Sequence, residues 1–126
     1  MLLPYLKNKD ENVDLTCAIL RYYAKVHVDE AYPYILKCAD TSDVQEWACA
    51  GVATSTLPHY PGPATIDQLK KNIFSREWYI RRNGSIALSE LAVAPSELSI
   101  IFNGDDPYAK EQLIYYYDQK GLSQGC

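Results

Sequence analysis

Histidine is scarce in this 126-residue chain, which has only His27 and His59, and its four cysteines form no Cys-x-x-Cys pair. Structural zinc sites are built from four Cys or His ligands, some of them closely spaced in the sequence. We therefore predict no zinc site and no cofactor. Cys17 and Cys49 lie on the small-residue faces of predicted helices, where a free cysteine is typically a small buried hydrophobe.

Catalytic signatures are absent from the sequence as well. It contains no Gly-x-Ser-x-Gly elbow, no phosphate-binding loop and no His-Glu-x-x-His metal motif. Paired carboxylates such as Asp29-Glu30 and Asp105-Asp106 stand at predicted helix starts, where capping and the helix dipole already explain them. Both histidines lie in predicted connectors, and His27 is expected to be a solvated loop residue. We therefore predict that the protein is not an enzyme.

Long apolar runs and excess positive charge are also missing. No stretch of 18 or more apolar residues occurs, so a membrane-spanning helix is not expected. Met1-Leu2-Leu3 has no basic region before it and is soon followed by Pro4 and Lys7, which argues against a signal peptide and favours the cytoplasm. The net charge of −4 argues against general affinity for nucleic acid or anionic membranes, because phosphate binding needs clustered Lys and Arg.

What the sequence does contain is a repeated pattern of a short apolar helix, an acidic turn and a longer helix with small residues. The pattern occurs over residues 2–24, 31–53, 66–88 and 97–117. The intervals between equivalent positions are 31, 36 and 29 residues, within the range of helical solenoids. Those positions are Val13, Val44, Ile80 and Ala109. None of these helices can bury its apolar stripe alone, so the hairpins are expected to stack on one another.

The segment IRRNGSIALSEL (80–91) resembles the Val-Arg-x-x-Ala-x-x-Ala-Leu signature of HEAT repeats, in their bacterial HEAT-like form. The signature positions are occupied by Ile80, Arg81, Gly84, Ala87 and Leu88. The turns at 40–44 and 105–109 resemble the Asp-x-x-Val turn of that family, whereas Asp14 and Gln45 replace the usual Arg in the first two repeats.

This resemblance implies an all-α fold, a right-handed α-solenoid of about four HEAT-like hairpins in which short and longer helices alternate. One domain would span residues 1–126. Its repeats would cover roughly residues 1–25, 29–57, 65–93 and 95–121. Small residues about four positions into the second helices, among them Cys17, Ala48 and Gly84, would allow neighbouring helices to approach closely. The family implies no single activity, since a fold does not fix a function.

The segment 58–64 interrupts the period. Its three prolines and one glycine predict an extended, polyproline-like loop, followed by a helix over residues 66–74 that Thr65 caps. Tyr60 is expected at the tip of this loop. The loop is either a binding element or a spacer, and the sequence favours neither.

Local signals also define the last hairpin. A short helix beginning at Pro95 is expected to end at Asn103-Gly104 in the left-handed conformation. Asp105-Asp106-Pro107 then opens a helix over residues 107–120, with an acidic cap and a proline near N1, and Gly121 is expected to end it. The predicted apolar body of the short helix consists of Leu98, Ile100, Ile101 and Phe102.

Residues 70–82 hold the only basic concentration of the chain. The HEAT-like resemblance implies that Arg81 joins an intramolecular ladder with an acidic turn residue. Trp78 and Arg82 are four residues apart and share a helix face, and a tryptophan beside an arginine is typical of an interface hot spot.

Three consecutive tyrosines, Tyr115 to Tyr117, span about 200° of a helix, so at least one faces outward. The candidate binding residues are Trp47, Tyr60, Trp78, Arg81, Arg82 and Tyr116.

The function that these features favour is protein–protein interaction. In the HEAT-like arrangement the second helices line a concave face, which would bind a protein or peptide partner. One alternative is an accessory subunit of a lyase-type enzyme. A relative of HEAT-like DNA-repair glycosylases is disfavoured by the acidic net charge. The last alternative is a homo-oligomeric structural protein, for instance a homodimer that associates through exposed tyrosines.

Overall fold

The computed structural model describes residues 13–40 and 47–121, and every regular element within them is helical. The α-helices of this part of the chain are α1 (Val13–Lys25), α2 (Tyr32–Ala39), α3 (Trp47–Thr56), α4 (Pro63–Asn72), α5 (Trp78–Glu90), α6 (Ser99–Phe102) and α7 (Pro107–Gln119). Short 3₁₀ helices cover Asp29–Ala31, Leu57–His59 and Pro95–Leu98. The all-α prediction is thus confirmed for the described residues.

The ends of α7 follow the local chemistry that the sequence indicates. The Asp106 side chain accepts hydrogen bonds from the backbone N–H groups of Tyr108 and Ala109, at 3.0 and 3.1 Å. Pro107 occupies the first turn, where a missing N–H removes no helical hydrogen bond. After the helix, Gly121 has a φ of 68°, a left-handed conformation that glycine adopts without steric cost. The predicted acidic cap and the predicted glycine stop are both confirmed.

The longer helices pack on one another in chain order. Helix α1 packs on α3, α3 on α5, and α5 on α7, while α2, α4 and α6 each pack on the longer helix that follows them. Helix α2 also contacts α4. A single core of buried apolar side chains runs through all of these contacts, from Leu20 in α1 to Tyr117 in α7.

The positions predicted to be equivalent are buried where their side chains are described. Ile80 and Ala109 are buried in the core, and so are Cys17, Gly84 and Leu113, each four residues after one of the predicted equivalent positions. Val44 lies outside the described residues, and the side chains of Val13 and Ala48 are not among those described. Burial of these residues shows that the predicted apolar faces of α5 and α7 are correct.

The predicted extended loop at 58–64 is wrong. Leu57–His59 forms a 3₁₀ helix with Pro58 in its first turn, and α4 begins at Pro63 rather than after a Thr65 cap. Pro58 and Pro63 stand in the first turns of their helices, where a missing N–H costs nothing, so these prolines start helices instead of preventing them. Thr65 is buried inside α4, and its hydroxyl donates to the carbonyl of Tyr60 at 2.5 Å.

Two expectations about the short helix before α7 are also wrong. Asn103 has a φ of −101°, and no positive φ occurs at Gly104, so α6 does not end in the left-handed conformation. Ile100 is largely exposed, whereas Leu98 and Ile101 are buried. Helix α6 is a single turn of four residues, and one turn cannot direct two consecutive isoleucines toward the same core.

Gly51 is packed more tightly against its surroundings than Gly84 is. A Cβ atom at Gly84 would make ordinary contact, 3.4 Å from Cδ1 of Ile73. A Cβ atom at Gly51 in α3 would lie 2.4 Å from the ring of Tyr79 in α5. The Asn83 amide, also in α5, donates to the carbonyl of Gly51 at 2.9 Å. A side chain in place of this glycine would therefore force the Tyr79 ring to move.

Buried Asn72 ties three helices together near the end of α4. Its Nδ2 donates to the carbonyl of Ala39 in α2 at 3.0 Å and to the hydroxyl of Thr54 in α3 at 2.7 Å. Gln68 donates to the Asn72 side-chain oxygen at 2.9 Å. A satisfied polar residue in an apolar core fixes the register of the elements that it joins.

Candidate functional site

A groove between α5 and α7 is the main concentration of exposed aromatic side chains in the described part of the chain. Its volume is about 610 Å³. We call it the aromatic groove; its lining residues are Trp78, Arg81, Tyr108, Glu111, Gln112, Tyr115 and Tyr116.

Helix α7 supplies most of this groove because of how it buries its inner face. Ala109, Leu113 and Tyr117, spaced four apart, are fully buried against the core. The Tyr117 hydroxyl donates to the carbonyl of Val93 at 2.6 Å, and burial raises its pKa, so it stays a neutral donor. Helical geometry then directs Tyr108 and Tyr115 outward.

The exposed tyrosines of α7 form one wall of the groove. Tyr108 and Tyr115 are 65% and 57% exposed, and Tyr116 is half-buried beside them. The rings of Tyr115 and Tyr116 meet edge to face with their centroids 4.9 Å apart. Of the three consecutive tyrosines, Tyr117 is therefore a core residue, while its two predecessors line the groove.

Arg81 is the central polar group of the opposite wall. Its Nη1 donates to the backbone carbonyls of Ser75 and Arg76, at 3.1 Å in each case. Its guanidinium lies 5.4 Å from the centroid of the Tyr108 ring, within range of a cation–π interaction. Within residues 13–40 and 47–121, the buried Nε of Arg81 has no hydrogen-bond partner.

Among the described residues, Arg81 makes no ladder with an acidic turn residue. Its hydrogen bonds go to the connector just before its own helix, rather than to an acidic turn residue. Asp106, the nearest candidate for such a ladder, caps α7 and shares with Arg81 only a smaller cavity of about 310 Å³.

Trp78 and Arg82 are adjacent, as their spacing predicts. The Arg82 guanidinium lies 5.8 Å from the centroid of the Trp78 ring, and Trp78 is 56% exposed. The Arg82 Nη1 also donates to the side chain of Asn83, at 3.4 Å. Together with Arg81 and Tyr116, the structure thus brings four of the six predicted binding residues to one surface.

The other two predicted residues are not part of this surface. The side chain of Trp47 is not among those described. Tyr60 is only 3% exposed, which makes its prediction as a projecting contact wrong. Its hydroxyl donates to the carbonyl of Tyr23 at 3.0 Å and accepts from the N–H of Val28 at 3.1 Å. These bonds hold Tyr60 inward, against the end of α1.

Sequence reasoning missed Tyr108, Glu111 and Tyr115 as groove residues. They recur at intervals of three and four along α7, on the side away from its buried face. This second stripe is readable in the sequence once the inner stripe has been assigned.

A larger cavity, of about 690 Å³, lies on the other side of α7. Glu111 and Tyr115 form the ridge between this cavity and the aromatic groove, because both line each of them. The remaining lining residues are Gly104, Asp105, Pro107, Lys110, Ile114 and Asp118. This side is more acidic and contains one aromatic ring, so it has fewer features of a protein-binding surface.

His27 is exposed and lies in a connector, as the sequence predicts, and its ring also makes specific contacts. Its ring stacks on Tyr60 with centroids 4.3 Å apart, and Tyr60 stacks in turn on Tyr32 at 5.8 Å. Its Nδ1 donates to the carbonyl of His59 at 3.1 Å, and its Nε2 contacts the Asp29 carboxylate at 2.6 Å. We call His27, Tyr32 and Tyr60 the inner aromatic cluster.

The hydrogen bond to Asp29 is the main reason that the pKa of His27 is raised. Both ring nitrogens face oxygen acceptors, which favours the imidazolium form. Neither nitrogen is available to take a proton from a substrate. The geometry therefore explains His27 as a structural contact between distant parts of the chain.

The described residues also lack a metal-binding cluster and a membrane-spanning helix. In the ranges that the structure covers, no group of three or more His, Cys, Asp or Glu side chains is arranged to hold a metal ion. None of the helices in those ranges combines the length and the apolar character needed to cross a membrane.

Comparisons with family models, with curated proteins and with solved structures found no match to this chain. The HEAT-like resemblance thus depends on the residues of the sequence itself, and the site must be interpreted from its own geometry.

Proposed function

We propose that this chain is a non-enzymatic interaction module that binds a partner protein or peptide through the aromatic groove. The observation that carries this proposal is the meeting of Trp78, Arg81, Arg82 and Tyr116 with Tyr108 and Tyr115 on one exposed surface. Trp, Tyr and Arg are the residue types most enriched among interface hot spots. Exposed aromatic rings also lose little conformational entropy when a partner covers them.

The packing order of the helices supports a solenoid as the scaffold of this groove. Each longer helix packs on the next longer one, and each short helix packs on its longer neighbour, as stacked hairpins would. We propose the right-handed, HEAT-like arrangement in a single domain over residues 1–126. In that arrangement α5 and α7 are both second helices, so the groove between them belongs to the concave face.

Affinity capture with matched variants tests the proposed function. The full chain, its Trp78→Ala variant and its Tyr22→Ala variant would each be immobilised and exposed to lysate of the source organism. Tyr22 is the control because it is a 46% exposed tyrosine of α1, away from the groove. We expect one set of partners to be retained by the parent chain and by Tyr22→Ala, and to be lost with Trp78→Ala.

Circular dichroism of the three proteins would confirm equal helix content. Partner sets that do not change with Trp78→Ala would contradict the proposal. Capture of the chain by itself would instead favour the homodimer, and sedimentation at two concentrations would detect that association directly.

A further inference from the structure

Two ring faces of the aromatic groove are already covered by cations. The Arg81 guanidinium lies over Tyr108, and the Arg82 guanidinium lies over Trp78. A free aromatic cage attracts ammonium groups because the ring faces are electron-rich. In this groove those faces are occupied by positive charge, so an additional cation would meet repulsion there.

Arg81 also retains hydrogen-bonding capacity that the described chain does not use. Both of its hydrogen bonds start at Nη1, and the buried Nε has no acceptor. The edge of a guanidinium formed by Nε and Nη2 matches the two oxygens of a carboxylate. Nε itself is buried, so a carboxylate in the groove would approach the part of the guanidinium that lines it, where the positive charge strengthens the pairing.

Resting on the proposed function, we propose that the aromatic groove binds a peptide segment of its partner that carries an Asp or Glu beside an apolar or aromatic side chain. The carboxylate would pair with the Arg81 guanidinium, which lines the groove. The apolar side chain would lie against Trp78 and Tyr116, which border the same groove. Arg82, folded over Trp78, adds positive charge to the rim.

Among the described residues that line the groove, Glu111 is the one acidic side chain, and it makes the proposal testable in two directions. It would repel an acidic peptide and attract a basic one. Removing its charge should therefore strengthen binding of the proposed ligand. Glu111 is exposed, so its substitution is expected to leave the fold intact.

The probe is a phage-displayed library of random 12-residue peptides, selected on the full chain and counter-selected on Trp78→Ala. Enriched peptides would be synthesised together with control peptides in which each Asp or Glu is replaced by Asn or Gln. Their affinities would be measured by fluorescence anisotropy against the parent chain, Arg81→Gln and Glu111→Gln. Arg81→Gln leaves a side chain that still donates hydrogen bonds but carries no charge.

We expect an acidic residue within a few positions of Phe, Trp, Leu or Ile in the enriched peptides. Neutralising that residue, or introducing Arg81→Gln, should weaken binding about ten- to hundred-fold, the range of a charge-assisted hydrogen bond. Glu111→Gln should strengthen binding about two- to five-fold. Because Arg81 also holds the connector before α5, the Glu111→Gln result keeps the test valid if Arg81→Gln fails to fold.

Enriched peptides that lack acidic residues, or that are basic and weakened by Glu111→Gln, would overturn this inference and leave the proposed function standing. The inference would also be overturned, and the proposed function would stand, if capture from lysate depends on Trp78 but no library peptide binds in a Trp78-dependent manner. If neither peptides nor lysate proteins bind in a Trp78-dependent manner, the proposed function itself fails.

Discussion

The inner aromatic cluster and the aromatic groove have similar composition but differ in how many of their polar atoms have hydrogen-bond partners. In the inner cluster, the Tyr60 hydroxyl both donates and accepts, and both nitrogens of His27 have partners. In the groove, Trp78 and Tyr115 are more than half exposed, and the Nε of Arg81 has no hydrogen-bond partner within the described part of the chain. Aromatic content alone does not distinguish a structural cluster from a binding surface. Exposed rings and polar atoms without hydrogen-bond partners do.

The largest expected effect is on stability, at Tyr60. Tyr60→Ala should lower the free energy of unfolding by about 3–5 kcal/mol, because it leaves a cavity and removes hydrogen bonds to Tyr23 and Val28. Urea unfolding followed by circular dichroism measures this change. The contrasting substitution is Tyr115→Ala in the groove, which should change stability little. A decrease of more than about 1 kcal/mol in its free energy of unfolding would contradict the comparison.

Removing single hydroxyl groups sharpens the same contrast. Tyr60→Phe should lower the free energy of unfolding by about 1–2 kcal/mol, since the backbone groups of Tyr23 and Val28 lose their partner. Tyr115→Phe should have almost no effect, because its ring is exposed to water. Equal losses of unfolding free energy in the two variants would show that the hydrogen bonds of the Tyr60 hydroxyl do not stabilise the fold more than an exposed hydroxyl does.

Trp78→Ala separates binding from folding. It should change the free energy of unfolding by about 0.5 kcal/mol or less, because the ring is mostly exposed, while removing partner binding. Urea unfolding and the capture experiment, carried out on one preparation, test both halves of this expectation. A large loss of stability would mean that the groove is a structural feature instead.

The smallest expected effect concerns pH. Because the folded chain raises the pKa of His27 above 6.5, the contact with Asp29 contributes stability below that pH and loses it as the pH rises through the folded pKa. The urea midpoint should therefore fall between pH 5.5 and 8.5 by more in the parent chain than in His27→Gln. His59→Gln is the control, since His59 contributes its backbone carbonyl to the contact. Identical pH profiles for His27→Gln and the parent would contradict this role.

The features that the sequence predicts correctly are local ones. The Asp106 cap, the Gly121 stop and the buried stripe of α7 depend on residues within one or two turns. The pairing of Trp78 with Arg82 likewise follows from a spacing of four on one helix. For such features the neighbouring sequence contains the physical cause.

Some of the incorrect predictions concern local segments, namely the proline-rich stretch at 58–64 and the end of α6, and others concern contacts between distant residues. Tyr60 is buried by groups more than 30 positions away, Tyr23 and Val28, which no local pattern identifies. The close approach at Gly51 depends on Tyr79 of another helix. The partners of Arg81 lie only five and six residues away, but they are backbone carbonyls, and the side-chain pattern does not reveal them.

The most direct test of the account follows the chain itself while a ligand binds. In ¹⁵N-labelled protein, the two tryptophan indole signals can be assigned with Trp78→Phe, and a captured partner or selected peptide then added. We predict that the Trp78 indole and the amides of residues 108–116 shift, while the amides around the inner aromatic cluster stay in place. Shifts confined to that cluster, with the Trp78 signal unmoved, would contradict the assignment of the aromatic groove as the binding site.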